Sequence, residues 1–127
     1  MKSTIEKVET FHNAFKQKNG TGPALLEETE FELRHRLMAE ENEEYLEACN
    51  KEDIVEIADA LGDQLYILCG TILKHGLQHK IDEVFNEIHL SNMSKLDADG
   101  NPILREDGKI LKSSRYFKPD IAKIIYK

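Results

Sequence analysis

The sequence lacks tryptophan and has only two cysteines and three prolines among its 127 residues. Cys49 and Cys69 both lie in apolar helical patterns, so they indicate reduced core residues rather than a disulfide framework. The first residues carry no apolar signal-peptide segment. No apolar run approaches the ~20 residues that a membrane-spanning helix needs. These absences exclude a disulfide-stapled secreted domain, and they predict a cytoplasmic protein without a membrane partner.

Basic residues are in the minority, with 17 Lys and Arg against 24 Asp and Glu, a net charge of −7. A protein that grips nucleic-acid phosphates needs a basic footprint, so nucleic acid is not an expected partner. The chain also lacks a glycine-rich phosphate loop and a Cys/His set with zinc-site spacing. Its length predicts one domain over residues 1–127, with a core at about 28–96 and a C-terminal extension at 97–127.

Apolar residues recur at intervals of three and four, which is the period of an amphipathic helix. Two Asp-Gly turn signals, at 99–100 and 107–108, flank residues 102–105, and Ile110 and Leu111 follow the second. This stretch predicts a loop or small hairpin. Four helices with short joints predict an all-α four-helix bundle. The predicted helices cover residues 4–18, 28–49, 52–75 and 78–95, and a short fifth helix follows residues 119–120.

The second predicted helix places acids among apolar residues. Positions 37, 41, 44 and 48 share one face of a helix, so Glu41 and Glu44 lie in the same stripe as Leu37 and Ala48. Glu40 flanks that stripe. Two carboxylates on a core-facing stripe indicate a function beyond solvation.

The third predicted helix repeats this feature. Glu56, Asp59 and Asp63 follow one another by about a turn on a single face. Further along, residues 65–73 are apolar nearly all round, which favours a helix packed on both sides. The acids are therefore expected to face protein. The expected core stripe of this helix consists of Ile54, Ile57, Ala58, Leu61, Leu65, Leu68 and Ile72.

Several carboxylates that face inward repel one another and lose hydration, unless they are protonated or paired with cations. The few basic residues nearby in sequence do not match them in number. Hard oxygen ligands suit Mg²⁺, with Mn²⁺ as a substitute. A divalent-metal site is therefore the preferred interpretation, and a solvated acidic face is the alternative.

The fourth predicted helix continues its apolar stripe into Asn92 and Lys95. An amide and an ammonium at inward positions are suited to holding a phosphate or a base. The alternative is a frayed helix end that exposes both side chains.

Taken together, these motifs resemble the all-α nucleoside triphosphate pyrophosphohydrolases, which include MazG-type enzymes, dimeric dUTPases and phosphoribosyl-ATP pyrophosphohydrolases. Residues 40–44 fit E-E-x-x-E and residues 56–59 fit E-x-x-D. The gap between the two motifs is slightly short, and a shifted register makes Asp63 the metal-binding aspartate. The chain also resembles the phosphoribosyl-ATP pyrophosphohydrolase branch of this group in three further stretches, at residues 91–96, 107–109 and 116–120.

The resemblance implies Mg²⁺-dependent cleavage of a (deoxy)nucleoside triphosphate between its α- and β-phosphates, as nucleotide-pool house-cleaning. It implies a homodimer or homotetramer. Phosphoribosyl-ATP hydrolysis and a non-catalytic helical interaction module are the alternatives, and residues 97–118 suggest a lid. The implied metal ligands are Glu40, Glu41, Glu44, Glu56 and Asp59, with Asp63 as a further contributor; Glu41 is the implied catalytic residue, and Asn92, Lys95, Lys112 and Tyr116 are the implied substrate contacts.

Overall fold

A computed structural model describes all of residues 1–127, and it confirms the all-α class with five helices and one small hairpin. The chain forms two compact units, residues 1–79 and 80–127. A single domain over the whole chain stays a prediction. No helix is both long enough and apolar enough to span a membrane. The elements are α1 (Lys2–Ala14), α2 (Glu28–Asn50), α3 (Ile54–Lys74), α4 (Ile81–Met93), β1 (Ile103–Leu104), β2 (Ile110–Leu111) and α5 (Ile121–Ile125).

In the first unit, α3 contacts both α1 and α2. The joint between α2 and α3 is three residues long, and a short joint makes consecutive helices neighbours. Glu52 turns the chain with a positive φ of 54°. Asp53 then caps α3, since its Oδ1 accepts hydrogen bonds from the backbone N–H of Val55 at 3.0 Å and of Glu56 at 3.2 Å. This cap sets where α3 begins and so where its acidic residues fall.

The expected core stripe of α3 was only partly right. Ile72 is buried, but Leu61, Leu65 and Leu68 are between 41% and 48% exposed, and Ile54 is exposed at the start of the helix. When a helix has two apolar sides, the sequence shows the helical period, but it does not show which side the neighbouring helices cover. The buried apolar residues of this unit are Ile5, Val8, Ala48, Ala60, Cys69, Ile72 and Leu73.

The segment that joins α1 to α2 is held against the C-terminal end of α3. Helix α1 ends at Ala14, earlier than the predicted residue 18. Gly76 follows α3 with φ +67°, and a Cβ there would lie 2.0 Å from the carbonyl oxygen of Gly22. Gly20 N–H donates to the Leu73 carbonyl oxygen at 2.8 Å. Close backbone packing therefore requires glycine at position 76.

In the second unit, α4 is shorter at both ends than predicted, so Lys95 lies beyond the helix. The predicted hairpin is present as the antiparallel pair β1–β2, with Ile103 opposite Leu111. Residues 113–117 are tied to the end of α4 by serine hydroxyls. The buried Ser91 donates to the carbonyl oxygen of Phe117 at 2.8 Å. Both cysteines of the chain are free, as expected.

Candidate metal centre

Three carboxylates of the first unit converge between α2 and α3. Ligand oxygens of Glu41, Glu44 and Asp63 all lie within 4.8 Å of one another. Glu41 and Glu44 are three residues apart on α2, so they share one face. At the same level, the Gln64 amide donates to Oδ1 of Asn42 at 3.0 Å and links α3 to α2. Helix spacing on α2, together with the packing of α3 against it, produces the cluster.

Glu41 is the most perturbed acid of the group. Its side chain is half-buried, and its Oε2 atom is shielded from solvent without a hydrogen-bond partner. The pKa of Glu41 is raised to about 7, first by burial, then by a hydrogen bond with Glu44 and the negative charges of Glu44, Asp63 and Asp59. Without a cation, the folded chain therefore keeps the proton on Glu41 until the pH rises to about 7.

The residues present fit a divalent cation. Carboxylate oxygens are the hard donors that Mg²⁺ and Mn²⁺ prefer, and the cluster contains no thiolate or imidazole that would favour zinc. A cation among these oxygens would give the orphaned Oε2 of Glu41 a partner. It would also offset the mutual repulsion that raises the pKa of Glu41.

The other predicted acids take different positions. Asp59 is exposed and acts on Glu41 through its charge. Glu56 instead pairs with Lys51, with Nζ 3.6 Å from Oε2. Glu40 is exposed on α2, outside the group of three. The structure thus brings Asp63, the alternative aspartate, into the cluster, while the ligand roles themselves stay predictions.

The predicted substrate contacts all lie in the second unit. Asn92 is exposed in the last turn of α4, and Lys95 is half-buried just beyond it, where its N–H donates to the Asn92 carbonyl oxygen at 3.2 Å. Lys112 places its Nζ 4.7 Å from the centroid of the Tyr116 ring, in a cation–π contact. Asn92 and Lys95 are thus joined through their backbones, whereas Lys112 and Tyr116 pair through their side chains.

Sequence reasoning missed two buried polar residues of the first unit, Arg34 and His12. Arg34 ties α2 to α3, because its Nε donates to Oγ1 of Thr71 at 3.0 Å and its Nη2 donates to the carbonyl oxygen of Ile67 at 2.9 Å. A signal existed in both cases. Position 34 extends the 37–41–44 stripe of α2, and position 12 extends the 5–8 stripe of α1.

The chain matches a known protein family. A model of the family described as "Phosphoribosyl-ATP pyrophosphohydrolase" matches residues 8–92. The matched region contains α2 and α3 entirely, and with them all six predicted metal ligands. No curated protein matches the chain.

Proposed function

Because this chain belongs to the phosphoribosyl-ATP pyrophosphohydrolase family, we propose that it hydrolyses the bond between the α- and β-phosphates of a nucleoside triphosphate and releases pyrophosphate. The family places the chain among pyrophosphohydrolases, which are hydrolases that act on acid anhydrides. The identity of the substrate and the requirement for a metal ion are proposals. They rest on the carboxylate cluster of α2 and α3.

One observation carries the proposal. Three carboxylates from two helices meet within 4.8 Å, and one of their oxygens is buried without a partner. Such an arrangement is unfavourable in a bare scaffold, since Glu41 loses water when it ionises and each of the three groups meets like charges. It becomes favourable when Mg²⁺ or Mn²⁺ is held there. A triphosphate is a substrate that such cations commonly help to bind.

In the proposed reaction, a bound Mg²⁺ would neutralise charge on the phosphates and would position the attacking water. Glu41, Glu44 and Asp63 would hold the cation, and Glu41 would also orient or deprotonate the water through its carboxylate. Glu40, Glu56 and Asp59 remain proposed contributors to the same acidic surroundings. The proposed substrate contacts are Asn92, Lys95, Lys112 and Tyr116, of which the two lysines are suited to phosphate oxygens.

Phosphoribosyl-ATP is the second candidate substrate, favoured by the description of the matched family. A substrate panel separates the candidates. Pyrophosphate release is measured with Mg²⁺ on canonical and modified nucleoside triphosphates and on phosphoribosyl-ATP, at equal concentrations. Turnover of the triphosphates supports the house-cleaning function, and selective turnover of phosphoribosyl-ATP supports the second candidate. If no substrate releases pyrophosphate, the non-catalytic module is the better description.

The cluster is tested by Glu41→Gln, which keeps the shape of the side chain and removes its charge. We expect Mg²⁺-dependent pyrophosphate release to fall by roughly 10²–10⁴-fold, the usual contribution of a positioned acid–base group. The measurement is kcat/KM for pyrophosphate release, with circular dichroism to verify that the fold is retained.

Glu47→Gln is the matched control, because Glu47 is an exposed glutamate on the same helix and outside the cluster. It should keep kcat/KM within about twofold, as surface changes away from a site usually do. If Glu41→Gln retains wild-type turnover, the cluster is not the catalytic centre.

A further inference from the structure

Helices α1, α2 and α3 enclose a pocket in the first unit that the proposed reaction has not used. Its volume is about 300 Å³. This lies at the lower end of the roughly 300–1,000 Å³ typical of small-molecule sites. Its walls combine aromatic rings with two deeply buried polar side chains, Arg34 and His12. A mixture of apolar walls and a few fixed polar groups is the usual composition of a ligand pocket.

Arg34 brings uncompensated positive charge to this pocket. The residue is 8% exposed, and burial lowers the pKa of its guanidinium. None of the ion pairs in the structure includes it. Its Nε and one Nη2 hydrogen are bonded to Thr71 and Ile67, whereas Nη1 has no protein acceptor. Nη1 is not among the side-chain atoms that are shielded from solvent without a partner, so a ligand can reach it. A guanidinium with such an unpaired N–H group favours a ligand that presents an oxygen acceptor.

His12 supplies the complementary group. The residue is 4% exposed, and its Nδ1 lies 2.6 Å from Oδ1 of Asn19. When Nδ1–H donates to that oxygen, Nε2 of the neutral ring is left as an acceptor. Gly70 lets the two polar groups meet. A Cβ at this position would lie 2.7 Å from Nη2 of Arg34 and 3.1 Å from Nε2 of His12. Arg34 and His12 thus lie side by side in the wall of the pocket.

The pocket walls include three aromatic rings that can stack against a planar ligand. Phe11 packs against Phe15 with ring centroids 4.5 Å apart and against Tyr66, edge to face, at 5.6 Å. All three rings keep substantial exposed area, and Phe15 is 65% exposed. Exposed rings beside fixed polar groups are typical of sites that bind bases.

The pocket lies one helical turn away from the carboxylate cluster on both α2 and α3. Leu37 lines the pocket and precedes Glu41 by four residues, and Ile67 lines it and follows Asp63 by four. Four residues of helix correspond to about 6 Å along the axis. A nucleotide can therefore place its base in the pocket while its phosphates reach the carboxylates.

We propose that this pocket binds the nucleobase of the substrate and that it prefers a base with a carbonyl next to a ring N–H. Arg34 would donate to the carbonyl oxygen, His12 would accept from the N–H, and the aromatic rings would stack on the base. Uracil and hypoxanthine have this edge. Cytosine and adenine carry an amino group and an unprotonated ring nitrogen in its place. Their amino group would face the Arg34 donor, and their ring nitrogen would face the His12 acceptor, so neither hydrogen bond could form. The proposal specifies the substrate class of the proposed function and rests on it.

The test uses nucleosides in place of triphosphates, with EDTA present, so that neither metal nor hydrolysis is involved. Binding of uridine, cytidine, inosine and adenosine is followed by NMR chemical-shift titration. Uridine should bind at least about tenfold more tightly than cytidine, and inosine than adenosine, as expected for one mismatched polar edge. Shift changes should centre on the pocket. Equal binding within each pair would overturn the stated preference.

Two variants make the test specific. Phe15→Ala should weaken all four nucleosides by about fivefold or more through lost stacking. Phe85→Ala is its matched control, an equally exposed phenylalanine in the second unit, and should change nothing. Arg34→Met should remove the preference within each pair. Because Arg34 is buried and its variant can unfold, Phe15→Ala provides an independent check. Equal effects of Phe15→Ala and Phe85→Ala would overturn the pocket assignment.

The two proposals can fail separately. Selective nucleoside binding without pyrophosphate release from any triphosphate would contradict the proposed function alone. Mg²⁺-dependent release with equal kcat/KM for uridine and cytidine triphosphates, and for inosine and adenosine triphosphates, would contradict the base preference alone.

Discussion

At the scale of single residues, Glu41 shows how packing changes the chemistry of a carboxyl group. On an isolated helix it would be an ordinary solvated acid. Here one of its oxygens is buried without a partner, and Glu44, Asp59 and Asp63 add negative charge around it. Burial is the largest cause of its raised pKa. Without a metal ion, the carboxyl group of Glu41 therefore holds its proton to a higher pH than usual. With a metal ion bound, the ionised carboxylate is a proposed ligand.

This raised pKa predicts a pH dependence of stability for the metal-free protein. The pKa of Glu41 is about 7 in the folded chain against an ordinary value of 4.5. The folded chain then holds this proton more tightly than the unfolded chain does. The stabilising contribution is fully present below pH 4.5 and is lost as the pH rises to about 7. Thermal melts in EDTA should show this loss in the wild type but not in Glu41→Gln.

Addition of MgCl₂ at pH 7 should restore stability to the wild type, because a ligand that binds only the folded state raises its stability. Glu41→Gln should respond less, since it has lost a proposed ligand. Parallel pH profiles of the two proteins in EDTA would contradict the assignment of the raised pKa to Glu41.

At the scale of elements, the ends of α3 determine how the first unit is assembled. Asp53 caps its N-terminus, and Gly76 turns the chain just after its C-terminus. The segment around Gly20 and Gly22 packs directly on that turn. Arg34, in the N-terminal part of α2, adds a hydrogen bond to Thr71 of α3. The unit is therefore held by backbone contacts at the end of α3 as well as by its apolar core.

Gly76→Ala tests the packing at the end of α3. Alanine would have to adopt φ +67°, and its Cβ would meet the Gly22 carbonyl oxygen at 2.0 Å. The left-handed conformation costs about 1–2 kcal/mol and overpacking typically about 1–3 kcal/mol. We expect the free energy of unfolding, measured in urea, to fall by at least about 2 kcal/mol.

Gly62→Ala, at a glycine inside α3, is the control. Nothing lies within 4 Å of a Cβ at this position, and its φ is not positive. Alanine is the better helix former by about 1 kcal/mol, so the free energy of unfolding should rise slightly. A loss as large as that of Gly76→Ala would show that close packing at position 76 is not the cause.

At the scale of the whole molecule, the leucine side of α3 is an open apolar surface. Leu61, Leu65 and Leu68 repeat at intervals of four and three, and all three are more than 40% exposed. Such a contiguous apolar face on a charged chain indicates a surface that another protein covers. The predicted homodimer or homotetramer provides a second copy of this chain as its cover.

Leu65→Lys tests this assembly. We expect the wild type to sediment as a dimer or tetramer, and the variant to shift toward the monomer, because a charge placed in an apolar interface has no partner there. Leu25→Lys is the control, since Leu25 is 95% exposed in a loop. A wild type that sediments as a monomer at micromolar concentration would contradict the assembly.

The periodicity of the sequence predicted all five helices to within a few residues, and the turn residues predicted the hairpin, whose strands lie on either side of the Asp-Gly pair at 107–108. These features depend on local patterns, caps and turn residues, which the sequence displays directly. The ends were less well predicted. Helix α1 ends four residues early at Ala14, and α4 ends before Lys95, because the start and end of a helix depend on tertiary contacts as well as on propensity.

By itself the sequence determined that acids fall on one face of each central helix, since residue spacing alone decides which side chains share a face. Only the tertiary structure decided which acids meet. The packing of α3 against α2 brings Asp63 to Glu41 and Glu44, and it leaves Glu56 beside Lys51. The packing of α1 and α2 against α3 buries His12 and Arg34 and leaves the leucines of α3 exposed. Rotation and register between helices are set by contacts distant in sequence, so no local pattern encodes them.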